Sequence, residues 1–295
     1  MATQKPKSEI KKPGPGSLYI VSTPIGNLED ITLRALKILK NVDLIAAENV
    51  NHSRRLCNHY GIKTRLTSYH QHNQNIKGPE LIGRLKSGSD IALVTSAGTP
   101  AVSDPGALLI NMAIKEDIKV SPIPGPSAAI AALSVCGLRV DRFLFMGFLS
   151  NRTSKRRKDL KELTNEKRTL VLFEAPHRVK SMLADLNEIL GDRQVVILRE
   201  LTKVYEEIKR GSVSSVLKEL EEDKIKGEFT VVVAGKEGGK RGKSLDIRIK
   251  KRVEKLLKED KMGVKEIAVK LSQEHGLNYR VIYREGLDLK KGMQQ

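Results

Sequence analysis

The chain has 295 residues, more than one average domain, and its 39% apolar content can bury a substantial core, which argues against wholesale disorder. Its net charge of +18 is uneven, with +15 carried by residues 1–17, 150–170 and 237–295, a pattern that favours a polyanionic partner, nucleic acid before membrane. No apolar run approaches the roughly 18 residues of a membrane span, and the Lys/Pro/Gly-rich start lacks a secretory h-region, so a soluble cytoplasmic protein is expected.

Residues 1–16 read as a flexible leader, closed by Pro13, Gly14, Pro15 and Gly16, which block regular structure. Strand-like runs follow at 18–23, 43–48, 91–95 and 118–123, with helical patterns at 30–42, 80–86 and 107–115 between or after them. That alternation predicts an α/β domain over 17–138 with a largely parallel sheet. GLRVDR at 137–142 interrupts the pattern and marks a boundary. A second α/β domain is expected over 139–236, with strands at 143–148, 169–174, 194–199 and 229–234 and helices at 155–163, 179–190 and 213–221. The short step from Leu201–Lys203 into VYEEIKRG predicts a hairpin and hence a mixed sheet. After the linker KEGGKRGKS, residues 237–295 read as a basic helical module resembling a helix-turn-helix. Val264, Ile267, Ala268 and Leu271 are spaced for one helix, Gly276 for a turn and Asn278 for the cap of the next. A helical cap packed on the body is the equal alternative.

Three Gly/Pro-rich turns stand at predicted strand ends: STPIGN (22–27), SAGTPAVSDPG (96–106) and IPGPSAA (123–129). Ligands of open α/β sheets bind beyond the carboxyl ends of strands, where glycine admits close approach and proline fixes the loop. No G-x-G-x-x-G or Walker loop is present, so a ligand held by its phosphates is not indicated. Cys57 and Cys136 form no Cys-x-x-Cys, and His70 and His72 lack a second cluster at ligand spacing, so no metal is expected.

STPIGNLEDITLRAL, SAGTPAVSDPG, PIPGPSA, LFEAPHR, RELTKVYEE and KGEFTVVVAG, in that order, resemble the tetrapyrrole-methylase-like superfamily. More narrowly they are similar to the bacterial small-subunit ribosomal RNA methyltransferase I family of ribose 2′-O-methyltransferases. The resemblance covers residues 18–235. It implies two α/β domains of the tetrapyrrole-methylase type, a homodimer, and S-adenosylmethionine held between the domains. The implied reaction is methylation of a cytidine 2′-hydroxyl in the decoding region of 16S rRNA, on free rRNA or the small ribosomal subunit.

Carried onto this chain, Pro24, Ile25 and Gly26 would border the cleft. Ser96, Ala97, Gly98, Thr99, Pro100, Ser127 and Ala128 would hold the methionine and ribose portions. Phe173, Ala175 and Ala234 would close over the adenosyl group. The 2′-hydroxyl is a poor nucleophile, so a base or charge-stabilising group helps, and the candidates are Glu174, His177, Glu200 and Lys203. Arg178 and Arg199 suit phosphate contacts. Arg156, Arg157 and Lys158 would form the main RNA patch, so neutralising them should weaken rRNA binding and flatten its salt dependence. Aromatics at 4% argue against a single-strand stacking platform.

The chain departs from the family pattern where Ser96 replaces an aspartate and where Glu48 is followed by Asn49, Val50 and Asn51 instead of Asp-Thr-Arg. These departures support a rival reading, an RNA-binding or assembly module that has lost catalysis. A methyltransferase of the same superfamily acting on a corrinoid-like small molecule is the other alternative, and the +18 charge and basic appendages speak against it.

Overall fold

The computed structural model describes residues 14–221, 225–236, 247–259, 262–275, 277 and 279–292. The described residues fall into two units, 1–235 and 236–295. The first holds two five-stranded sheets. The leader expected over 1–16 lies largely outside the described residues, as do Gly276, Asn278 and most of the linker.

The first sheet has the order β3-β2-β4-β1-β5 and is parallel throughout. Its strands are β1 (Ser17–Val21), β2 (Leu44–Ala47), β3 (Leu66–Ser68), β4 (Ile91–Val94) and β5 (Lys119–Ile123). Every residue of LIAA and IALV in β2 and β4 is buried, because helices cover both faces and leave no polar side to alternate with. Helix α1 (Leu33–Asn41) is capped by Thr32, whose hydroxyl accepts from Ala35 N at 3.1 Å. Helix α2 (Val50–His59) is capped by Asn49, whose amide oxygen accepts from His52 N at 3.0 Å. The sequence patterns had not indicated α2 or β3. The helix α3 (Gln74–Lys86) starts before the expected boundary at residue 80, because it runs through Pro79 in its interior, a residue that reads as a helix start or break. Helix α4 (Ala107–Lys115) occupies the predicted range.

The second sheet is mixed, with order β6-β7-β10-β8-β9. Its strands are β6 (Phe143–Phe148), β7 (Thr169–Glu174), β8 (Gln194–Arg199), β9 (Glu207–Ser212) and β10 (Phe229–Val233). The expected hairpin is present as the antiparallel β8–β9 pair. Strand β10 sits between β7 and β8 and is antiparallel to both. Helices α6 (Thr153–Glu162), α7 (Val179–Leu190) and α8 (Val213–Glu221) complete this half. Helix α5 (Ala128–Val135), which precedes the expected boundary, packs on the second sheet: Ala129, Ala132, Leu133 and Cys136 share a cluster with Val171, Val196, Leu198 and Val232.

The unit after Gly235 contains α9 (Ile247–Lys258), α10 (Val264–His275) and α11 (Tyr279–Gly292) around Val253, Leu256, Ile267, Ala268, Leu271 and Ile282. No helix among the described residues is long and apolar enough to cross a membrane.

Candidate active site

The three Gly/Pro-rich turns meet. Thr23 and Gly98 exchange backbone hydrogen bonds of 2.9 and 3.0 Å, and the Ser22 and Thr99 hydroxyls lie 2.9 Å apart. The third turn rests on the first, since a Cβ at Gly125 would stand 2.9 Å from the Ser22 Cβ. Gly98 has φ +79°, a left-handed conformation that glycine adopts without a Cβ clash. These turns and the strand ends of the second sheet line an open cleft of about 390 Å³.

From the first sheet the cleft is lined by Ile25, Glu48, Ser96–Thr99, Val102–Asp104, Ser127 and Ala128. The second contributes Phe148, Phe173–Pro176, Leu198, Leu201 and Glu228–Thr230. Of the residues expected at a cofactor, Ile25, Ser96, Ala97, Gly98, Thr99, Ser127, Ala128, Phe173 and Ala175 line this cleft. Pro24, Gly26 and Pro100 do not line it. Gly26 instead packs against the second half, where a Cβ would lie 2.6 Å from the Lys203 side chain. Ala234 is at the wrong end of its strand. Because β10 is antiparallel, its first residue, Phe229, aligns with Glu174 and Arg199 at the cleft, while the Ala234 N–H reaches Gln194 O at the far edge.

The two departures from the family pattern are locally satisfied. Asn49 caps α2, a task amide and carboxylate share. Ser96 donates from its backbone N (2.9 Å) and hydroxyl (2.7 Å) to Glu48 Oε2, which also accepts from the Thr95 hydroxyl at 2.8 Å. Burial works against the Glu48 charge, but the Ser96 and Thr95 donors and nearby His52 outweigh it and hold the carboxyl below its ordinary value. Asp104 lies beside it. Its burial, and then the Glu48 charge, push its pKa up from 3.8 to about 6, against a hydrogen bond from Thr95.

Among the expected catalytic groups, Glu174 lines the cleft but is occupied: its Oε1 accepts from Ala175 N (2.9 Å) and lies 3.2 Å from Arg178 Nε. His177 is exposed and does not line the cleft. Lys203 bonds Glu200 at 2.9 Å and Glu228 at 3.0 Å. Burial alone would lower its pKa, but the two carboxylates raise it above the ordinary lysine value, which suits a cation and not a base. Glu200 is held low, the Lys203 contact and the Glu228 N–H prevailing over burial.

The expected RNA contacts are largely committed elsewhere. Arg156 is 4% exposed, its Nε 2.7 Å from Asp185 Oδ2, and Arg157 bonds Asp185 at 2.7 Å and also Glu188. Both join α6 to α7, and Lys158 alone of the trio is exposed. Arg178 donates to Leu149 O at 2.8 Å, and Arg199 to Lys226 O at 2.8 Å. These guanidiniums hold loops together, so they are not free forks for phosphate. Residues that sequence reasoning passed over are Glu48 as a carboxylate hub, Asp104, Phe148 and Thr230. Asp104 lay inside a quoted motif, but its partners are remote in sequence.

Residues 17–217 match the family described as Tetrapyrrole (Corrin/Porphyrin) Methylases. A protein of Halalkalibacterium halodurans called Ribosomal RNA small subunit methyltransferase I is 50% identical over 220 residues, covering 75% of this chain and 76% of that one. Its namesake in Pseudomonas aeruginosa is 40% identical over 275 residues, covering 92% and 97%. Among solved structures, the cobalamin biosynthetic enzyme cobalt precorrin-4 methyltransferase superposes with a TM-score of 0.58 at 19% identity, over 74% of this chain and 94% of that chain. Diphthine synthase does so with a TM-score of 0.59 at 19% identity, over 74% and 90%. At that identity the structural likeness speaks to fold alone.

Proposed function

The chain belongs to the tetrapyrrole methylase family, and from that premise we propose that it methylates the 2′-hydroxyl of a cytidine in the decoding region of 16S rRNA, using S-adenosylmethionine. The observation that carries this reading is the convergence of all three strand-end turns on one cleft, in a chain whose relatives are small-subunit rRNA methyltransferases. The intact hydrogen bonding around Asn49 and Ser96 favours a working site over a descendant that has lost catalysis. We take the acting species to be a cytoplasmic homodimer.

The residues present fit the cofactor. Ile25, Val102, Phe173, Leu198 and Leu201 give an apolar wall for a purine ring. Ser127 holds the N-cap position of α5 without making a side-chain cap bond, which leaves its hydroxyl for a ligand. Glu48, Asp104 and Glu174 give the cleft three carboxyl groups, suited to a cationic ligand. When bound, S-adenosylmethionine supplies a methyl group activated by a sulfonium. The chain positions the reactants, which is most of what an in-line displacement asks of a protein. Asp104, with a pKa of about 6, is the cleft carboxyl best placed to hold a proton near neutrality.

Two expected results follow. Undermethylated small subunits incubated with the chain and labelled cofactor should acquire one alkali-resistant 2′-O-methylcytidine; label on a base, or none, would refute the assignment. The second concerns pH. Protonated Asp104 can neither accept a proton nor attract a cation, so kcat/KM should rise as pH passes through about 6 and then level off. Asp104→Asn should remove that rise. Folding stability runs the opposite way: the folded carboxyl takes up a proton more readily than the unfolded one, so its contribution weakens as pH climbs from 3.8 through about 6.

A further inference from the structure

The turn joining β8 to β9 carries an unusual display. Val204 is 93% exposed and Tyr205 79%, which makes Tyr205 the most exposed Phe or Tyr ring among the described residues. The remaining described tyrosines are buried or half-buried.

This tip is not slack. Its base is Leu201, which lines the cleft. Glu200 and Thr202 hold left-handed φ values of +51° and +64°, a strain that persists only where surrounding contacts fix it. Those contacts are present. Lys203 is pinned between Glu200 and Glu228, Thr202 N donates to Glu206 at 2.7 Å, and Asn27 N donates to the Thr202 hydroxyl at 3.0 Å. The last of these fastens the tip to the first cleft turn. A rigid, strained turn at the cleft thus presents an aliphatic and an aromatic side chain to solvent.

We infer that Val204 and Tyr205 engage an unpaired nucleobase of the RNA, with Tyr205 stacking on it while the ribose is presented to the cleft. This deepens the proposed function and rests on it. Two side chains offer about the area of one base face and far less than the roughly 800 Å² per partner of a stable protein interface. Cations available to an RNA backbone lie on the first half, whereas the tip itself carries the exposed Glu206. Helix α1 starts beside the third turn, with Thr32 reaching Pro124 O, and α2 starts beside the cleft, with Asn49 following Glu48. Their early turns expose Arg34, Arg54 and Arg55, none ion-paired with a described residue, although Arg54 bonds Asn51. RNA readers use such pairings of backbone-facing cations with an aromatic ring for a splayed-out base. The low aromatic content that argued against stacking is an average, and one well-placed ring escapes it.

The test uses the full chain with undermethylated small subunits. Tyr205→Ala should raise the KM for subunits roughly tenfold, the loss expected for one base stack, while calorimetry shows S-adenosylmethionine affinity unchanged. Tyr205→Trp should restore the KM, and because the side chain is exposed the melting temperature should not move. An unchanged KM overturns the inference, as does an equal loss of cofactor affinity. Altered sedimentation of Tyr205→Ala with normal KM also overturns it, by making a second copy of the chain the occupant. If the wild-type chain methylates no rRNA, the proposed function fails; normal methylation by Tyr205→Ala removes this inference alone.

Discussion

Asp185→Ala should lower the unfolding free energy by about 3–5 kcal/mol, measurable as a shift of the urea midpoint. Asp185 and Arg156 are 7% and 4% exposed, and the Arg156 guanidinium meets the carboxylate through Nε at 2.7 Å and Nη2 at 2.6 Å. Removing the acid leaves a buried cation without its partner, the costly way to break such a pair. Arg156→Ala should cost less, because Asp185 keeps its 2.7 Å bond to Arg157. Lys158→Ala, at an exposed position of the same helix, should stay within about 0.5 kcal/mol of wild type. The expected RNA patch therefore separates into two kinds of residue. A triple neutralisation would report mainly on stability, and its salt dependence would say little about RNA. A destabilisation under about 1 kcal/mol for Asp185→Ala would show that the pair contributes little to the α6–α7 contact.

Gly98→Val should weaken S-adenosylmethionine binding by about thirtyfold, read by calorimetry. A β-branched residue at φ +79° costs about 1–2 kcal/mol, and relief through negative φ would break the reciprocal bonds with Thr23, each about 1 kcal/mol. Either route moves Ala97–Thr99, which line the cleft. Either route costs roughly 2 kcal/mol, or about thirtyfold in affinity. The fold should survive, since Gly98 lies in a loop outside both sheets. Wild-type affinity in this variant would mean that the second turn does not touch the cofactor.

The sequence displayed what depends on local pattern. IALV, TLVLFE and FTVVV are largely apolar and almost wholly buried because they sit inside sheets, so their place in the chain could be read directly. The three turns were legible because glycine and proline mark strand ends. The features that escaped depend on partners far along the chain. LTS in β3 is three half-buried residues at a sheet edge, too short to carry a period. VNHSRRLCNH in α2 buries only Ser53, Leu56 and Cys57, so its polar composition hid the helix. The direction of β10 is settled by its neighbours, which is why the expected contact fell on Ala234 and not on Phe229 and Thr230. Arg156 looked like a phosphate ligand until Asp185, from another helix, claimed it. The Asp104 pKa reflects burial and a charge at Glu48, neither visible in SDPG.

The placement of α5 bears on how the enzyme could open. A joint at 138–142 would lie beyond that helix, whose apolar side is already bonded to the second half, so flexing there would not part the walls. Any bending between the halves has to occur in residues 124–127, the turn that delivers Ser127 to the cleft. Hinge and ligand contact are thus the same few residues. Occupancy should stiffen the joint directly, so amide exchange across that turn would report loading as faithfully as any change inside the pocket.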